Sequence, residues 1–473
     1  MTKNEGKSHL TRRQFVSAAA VTAAVSIVPR HVLGQGQTPP SEKVNVAVIG
    51  VGGQGRTNSQ ALLHEDDAQI VAIADPAEKW DLEPFYYKGS AGRGPVKAMI
   101  EKHYAEEKKL ENYKCAEYVD FREMLDKEKA IDAVLIATPD HNHAYIGITA
   151  MKQGKHVYCG KPLTHNVWEA RQMAKVAKET KVATQMGNQG RSTEGHRQTA
   201  EWIWDGAIGH VREVHAWSDA GRFAKFGKPP ETPTPEGLNW DLWLGTRAER
   251  PFSSAVAPFN WRGYWDFGGG ALADMAIHNM DPAVNALHLE HPTSIQATGP
   301  GVDEHACTTG VLVTYNFDRR GAMPPVKMMW YDGGLRPSFP MDLNPDDSKN
   351  RLGEGGNGVL FVGDKGYITA AGWSGMPRLL PLSLHTSYQR PEKTIPRVKG
   401  HHADWLQACK GGKQASSNFE YAARLTEIVL LGNVALRSRK VLLWDGPNMK
   451  ATNHPDAEKF LKEEYRKGWE IPV

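Results

Sequence analysis

The sequence predicts an α/β chain: a doubly wound parallel sheet first, then an α+β domain with a large, mostly antiparallel open sheet. Three observations carry this. Short apolar, β-branched runs alternate with helical patterns over residues 43–186, as parallel strands covered on both faces do. The first of these runs opens into G-x-G-x-x-G at Gly50, Gly52 and Gly55. Beyond about residue 186, strand-like runs follow one another with turns between them and few helices.

In chain order, Thr11-Arg12-Arg13-Gln14-Phe15-Val16 precedes an apolar run, Ser17 to Val28, with the small residue Gly34 after it. Residues 1–34 therefore read as a twin-arginine export signal, and a periplasmic destination is expected. Residues 35–42 read as a polar linker. Val44–Ile49, Ile70–Ala74, Ile131–Ala137, His156–Tyr158 and Val182–Gln185 are predicted strands, with helices over His143–Gln153 and Val167–Thr180. In the second domain, 187–445, strands are predicted over His210–Trp217, Ser294–Thr298, Val311–Phe317, Val326–Tyr331, Val359–Val362 and Tyr367–Ala370. Phe419–Arg437 reads as a helix with Ser417 or Asn418 at its N-cap, and 446–473 as a C-terminal tail. Stretches 227–237 and 332–357 are rich in Pro and Gly and read as long loops.

Composition narrows the function classes. The 473 residues carry a net charge of +3 with no long basic block, which argues against nucleic acid as a partner. Beyond Val28 no apolar run approaches the roughly 18–20 residues a bilayer span needs. Cys115, Cys159, Cys307 and Cys409 form no CxxC pair. Folding in a reducing cytoplasm before export leaves four free thiols expected.

The strand–glycine–helix context makes the first domain a dinucleotide-binding Rossmann domain. Gly50, Gly52 and Gly55 would supply the tight turn, the approach of the pyrophosphate and close helix packing, with Gln54 beside them. Asp75 ends the second strand, where a carboxylate accepts the ribose hydroxyls and favours NAD. Arg56 keeps NADP open, since a guanidinium pairs with a 2′-phosphate. Thr138-Pro139 and His143 follow the third strand at the edge where ligands bind. Lys161 lies in a second such turn, and Asn188 in a third is expected to reach the nicotinamide side. Asp274 and His278 stand i, i+4 after Gly268-Gly269-Gly270, on one helical face. With His141 or His143 they also have the donor types of a metal site, but the spacing is equally that of a hydrogen-bonded helix pair, and no metal is expected. Residues 221–268 hold ten aromatics, against 9% of the chain overall. Trp261, Tyr264 and the intervening Arg262 are the residues chosen from that cluster to face a sugar-sized ligand.

The glycine loop, the T-P-x-x-x-H turn ending in His143, the G-K-H-V…K-P segment and the D-x-x-x-H helix resemble the glucose–fructose oxidoreductase / inositol dehydrogenase / rhizopine-catabolism (Gfo/Idh/MocA) family. The resemblance covers nearly the whole chain after the signal. It implies a tightly bound NAD(P), a carbohydrate substrate, and a homo-oligomer, dimer or tetramer, paired through the open sheet. By position it implies Lys161 as the catalytic lysine and Asp274 and His278 as the acid/base pair. One departure stands out: the usual Glu-Lys-Pro is here Gly160-Lys161-Pro162.

The expected activity is hydride transfer between a sugar or glycoside carbinol carbon and a bound NAD. A histidine takes the hydroxyl proton, and a lysine ammonium stabilises developing alkoxide charge. Outside the cytoplasm no soluble NAD(H) pool exists, so the cofactor is expected to stay bound and be recycled. Two other readings remain open. One is a glycosidase that oxidises, eliminates, hydrates and reduces. The other is a non-catalytic sugar-binding protein with a structural NAD, which the loss of the glutamate at Gly160 keeps in play.

Overall fold

The computed structural model describes Glu42–Val473. The twin-arginine motif lies outside the described residues. The chain enters a six-stranded, all-parallel sheet of order β5-β2-β1-β6-β7-β8. Its strands are β1 (Val44–Ile49), β2 (Ala68–Ala74), β5 (Ala116–Tyr118), β6 (Ala133–Ile136), β7 (His156–Cys159) and β8 (Thr184–Met186). A small antiparallel pair, β3 (Trp80–Asp81) and β4 (Ser90–Ala91), stands after β2. Central strands such as β6 are buried at every position, which is why they read as continuous apolar runs.

The strand order reverses between β1 and β6, and the crevice at that switch point is where such sheets bind ligands. The helix Val167–Thr180 starts on a capping box: the Asn166 side chain accepts from the Glu169 amide, and Glu169 answers to the Asn166 amide.

The second sheet has nine strands in the order β15-β14-β13-β9-β12-β11-β10-β16-β17. They are β9 (Val211–Ser218), β10 (Ser294–Thr298), β11 (Leu312–Phe317), β12 (Val326–Asp332), β13 (Asn357–Gly363), β14 (Gly366–Ala370), β15 (Arg378–Leu380), β16 (Leu442–Asp445) and β17 (Lys450–Ala451). Within this sheet the β9–β12 pair is parallel and the other described pairs are antiparallel, so the sheet is mixed but mostly antiparallel. The helix Phe419–Ser438 is buried along most of its length between β10 and the helix Val167–Thr180, tying the sheet to the parallel domain. Its N-cap is Asn418, whose side chain accepts from the amides of Glu420 and Tyr421. Ser417, the other expected cap, instead donates to Asn188.

The second domain holds more helix than expected, including Glu194–Trp204 and His401–Cys409. The four cysteines are unpaired thiols. Among the described residues no helix is long and apolar enough to cross a membrane.

Candidate active site

A cavity of about 610 Å³ opens at the carboxyl ends of β1, β2, β6 and β7. That is ample for a small-molecule ligand. Gly50, at φ +81°, makes the turn out of β1, and a Cβ there would stand 2.8 Å from the Thr138 amide nitrogen. Gly52 caps the helix Gly53–Leu63 and has open space in front of it, while no side chain caps the helix and no acidic residue sits in its first turn. Amides left free beside an open glycine suit a pyrophosphate. Gly55 packs so closely on the turn that an added Cβ would sit 1.9 Å from the Gly50 carbonyl oxygen. Gly55→Ala is therefore expected to destabilise the protein by about 1–3 kcal/mol or more and to empty it of dinucleotide. Urea unfolding and quantification of the released cofactor check this.

Asp75 lines the same end of the cleft but is not simply waiting for a ribose. Its carboxylate accepts the amides of Val51 and Ala77, each at 2.8 Å, and burial pushes its pKa up to about 6. It locks the glycine turn to the end of β2. Arg56 is not placed for a 2′-phosphate: its guanidinium donates to the carbonyls of Ser90 (2.8 Å), Tyr87 (2.5 Å) and Lys88 (2.7 Å). Gln54 and Pro139 line the cleft, and the Tyr87 hydroxyl donates to Gln54 Oε1 at 3.1 Å.

Further along, two cations meet two anions. Lys161 Nζ donates to the Asp274 carboxylate and, at 3.1 Å, to its backbone carbonyl. Arg262 Nε lies 3.1 Å from Asp274 Oδ1, and its Nη1 donates to both oxygens of Asp140 at 3.0 Å. Burial would raise the Asp274 carboxyl, but Lys161 and Arg262 hold it well below the carboxylate range. Burial pulls the Lys161 ammonium below its usual value, with Asp274 opposing. Two of three ammonium hydrogens face Asp274, which leaves the third for a ligand oxygen.

Asp274 sits in a π-helical turn, Leu272–Ala276, rather than in the regular helix expected, and the short helix Ile277–Asn279 follows. Such wide turns recur at functional sites. Asp274 and His278 both still line the cleft. His278 is 4% exposed, and its Nδ1 is buried without a hydrogen-bond partner. Burial, then the field of Lys161, holds its pKa well below 6.5, so it is neutral at pH 7.

A Cβ on Gly160 would press 3.2 Å from His143 Cε1. His143 is a buried brace, with Nδ1 2.9 Å from the Pro162 carbonyl and Nε2 3.0 Å from that of Thr138. His141 Nε2 lies 3.1 Å from the Trp243 carbonyl. Neither histidine converges with Asp274 and His278, and among the described residues no group of three or more His, Cys, Asp or Glu is placed to hold a metal ion.

Two sequence-chosen residues lie elsewhere. Asn188 does not line the cleft: it donates to Asp281 Oδ2 at 2.8 Å and accepts from Ser417 Oγ at 2.7 Å. Tyr264 is buried in an aromatic cluster with Trp243 and Phe267, away from the cavity wall. Trp261 does line it, with the Arg262 guanidinium 4.2 Å from its ring centroid. Site residues without a signal in the sequence are Asp140, which pairs with Arg262, and Trp373 and Trp469, which line the cleft.

An open glycine turn beneath free helix amides, with a histidine and a buried lysine lining the same cleft, fits a dinucleotide. The molecule is a Rossmann-type dinucleotide-binding protein with a second α/β domain. Comparison with known families agrees: the oxidoreductase family with NAD-binding Rossmann fold matches residues 44–188, and the C-terminal α/β domain of the same family matches 217–323. Together these cover just over half of the chain, and the chain belongs to the Gfo/Idh/MocA oxidoreductase family. A glycosyl hydrolase family 109 protein of Stenotrophomonas maltophilia is 33% identical over 155 residues, 32% of this chain and 29% of that protein. A levoglucosan dehydrogenase of Pseudarthrobacter phenanthrenivorans is 30% identical over 165 residues, 35% of each. The matches thus span about a third of these curated relatives' length. The WlbA dehydrogenase of Bordetella pertussis, solved with NADH and UDP-GlcNAcA, shares the fold at TM-score 0.55 and 15% identity, over 85% of this chain and 98% of that one.

Proposed function

We propose that the protein transfers a hydride between a carbinol carbon of a sugar or glycoside and an NAD that it keeps bound, and that it works outside the cytoplasm as a homo-oligomer. The observation that carries the chemistry is the meeting of His278 with the Lys161–Asp274 pair at one cleft. The bound nicotinamide supplies a hydride acceptor and donor. The chain does the rest. His278, neutral and lining the cleft, takes the proton of the sugar hydroxyl and gives it back in reverse. The Lys161 ammonium, fixed by Asp274, faces the same oxygen and stabilises its developing charge. NAD is favoured over NADP because Asp75 lines the dinucleotide end and Arg56 is spent on backbone carbonyls. Export rests on the Arg12-Arg13 motif, and oligomerisation on the family resemblance alone.

A second reading has its own support in the likeness to the family 109 glycosyl hydrolases. Oxidation at C3 acidifies the C2 proton, the C1 aglycone leaves, water adds, and the ketone is reduced again. The cycle is redox-neutral and needs no free NAD. A panel of aryl glycosides separates the readings. Aglycone release without net NADH change is expected of the glycosidase; ketone formation without release is expected of a simple oxidoreductase. Neither, with sugar binding retained, leaves a binding protein.

A further inference from the structure

We infer that Trp373 is the platform on which the substrate's sugar ring lies while its carbinol faces His278; this rests on the carbohydrate reading above. Trp373 lines the cleft, and its ring centroid is 5.4 Å from that of His278, tilted by 45°. It is 44% exposed, so it is not there to fill the core.

The chain holds this ring out by an unfavourable route. Trp373 (φ +56°), Ser374 (φ +61°) and Met376 (φ +39°) all lie in the left-handed region that non-glycine residues avoid. Such conformations persist only where the surroundings enforce them, and they gather at functional sites. The enforcement is visible. Ser374 Oγ lies 3.1 Å from His196 Nδ1, and the Trp373 amide donates to Asn279 Oδ1 at 3.4 Å. The turn passes directly over two glycines. A Cβ on Gly190 would meet the Trp373 carbonyl oxygen at 2.7 Å, and one on Gly195 the Ser374 carbonyl oxygen at 2.1 Å.

Asn357 abuts the neighbouring Gly372, and Gln189 precedes Gly190; both line the cleft. An aromatic floor suits a pyranose, whose C–H face lies on the indole while its hydroxyls point away from it. The favoured class is a pyranoside whose ring hydrogens form one continuous apolar face, as in β-glucopyranosides.

Saturation-transfer NMR on the dinucleotide-loaded protein, with methyl β-D-glucopyranoside and methyl β-D-galactopyranoside as probes, tests this without requiring turnover. The methyl aglycone offers no aromatic ring of its own to stack. Trp373→Gly removes the indole, and glycine is at ease at the same φ. It is expected to weaken pyranoside binding roughly tenfold or more, with Trp373→Phe losing only part of that and dinucleotide content unchanged in both. Equal affinity in wild type and Trp373→Gly, or no pyranoside binding by the wild type, overturns the assignment. Binding that depends on Trp373 but is followed by no oxidation of any sugar retains the platform and removes the redox reading instead.

Discussion

Replacing His278 by Gln is expected to lower kcat/KM by roughly 10²–10⁴-fold, the range that positioned proton transfer contributes. Folding should be little affected, because Nδ1 makes no hydrogen bond that the substitution could break. Lys161→Met is expected to fall by a similar factor, and it too should fold, since Asp274 keeps Arg262 as a partner at 3.1 Å. The pH profile follows from the two shifts. His278 titrates well below 6.5, so kcat/KM should show no acid limb near 6.5 and stay flat through neutrality. Lys161 titrates below 10.5, so the alkaline limb, where the ammonium is lost, should appear below that value and vanish in Lys161→Met. Steady-state kinetics across pH check both limbs. Unchanged turnover in both variants would remove the assignment.

Arg262→Met should have the largest effect on stability. Asp140 is fully buried, and its two oxygens both accept from Arg262 at 3.0 Å. Removing the guanidinium leaves a carboxylate in low dielectric without its cation, and the expected loss is about 3–5 kcal/mol. Adding Asp140→Asn should recover a large part of it, because the uncompensated charge goes with the substitution. Urea denaturation of the two single variants and the double variant measures the coupling. Additive losses would mean that the pair is not the source.

The comparison between sequence and structure divides along how local each signal is. The helix Val167–Thr180 and the strand Ser294–Thr298 fall where expected, because the capping box at Asn166 and apolar alternation act within a few residues. The strands Ala116–Tyr118 and Arg378–Leu380 were not foreseen. Each is three residues long and exists through its sheet neighbours rather than through its own pattern.

The site divides the same way. The glycine turn, Lys161, Asp274 and His278 come from compact motifs, and the fold brings them to one cleft. Asn188 could not be placed from its motif, because its partners, Asp281 and Ser417, lie 93 and 229 residues away. Arg56 carried a plausible charge, but the carbonyls that use it belong to a loop more than 30 residues on. Ten aromatics in 221–268 suggested a sugar cleft as a group. Phe223, Trp243, Phe259 and Trp261 of that stretch do line the cleft, while Phe252, Tyr264 and Phe267 are buried in an interior cluster. The half-exposed ring beside His278 comes from residue 373, far outside that stretch.

The proposed chemistry requires a resident nicotinamide in the cleft. The direct measurement is to purify the folded protein without added cofactor, denature it, and identify and quantify the released dinucleotide by mass spectrometry. About one equivalent of NAD(H) per chain is the expected result. Protein that is empty, and that also fails to bind added NAD or NADP, would contradict the account.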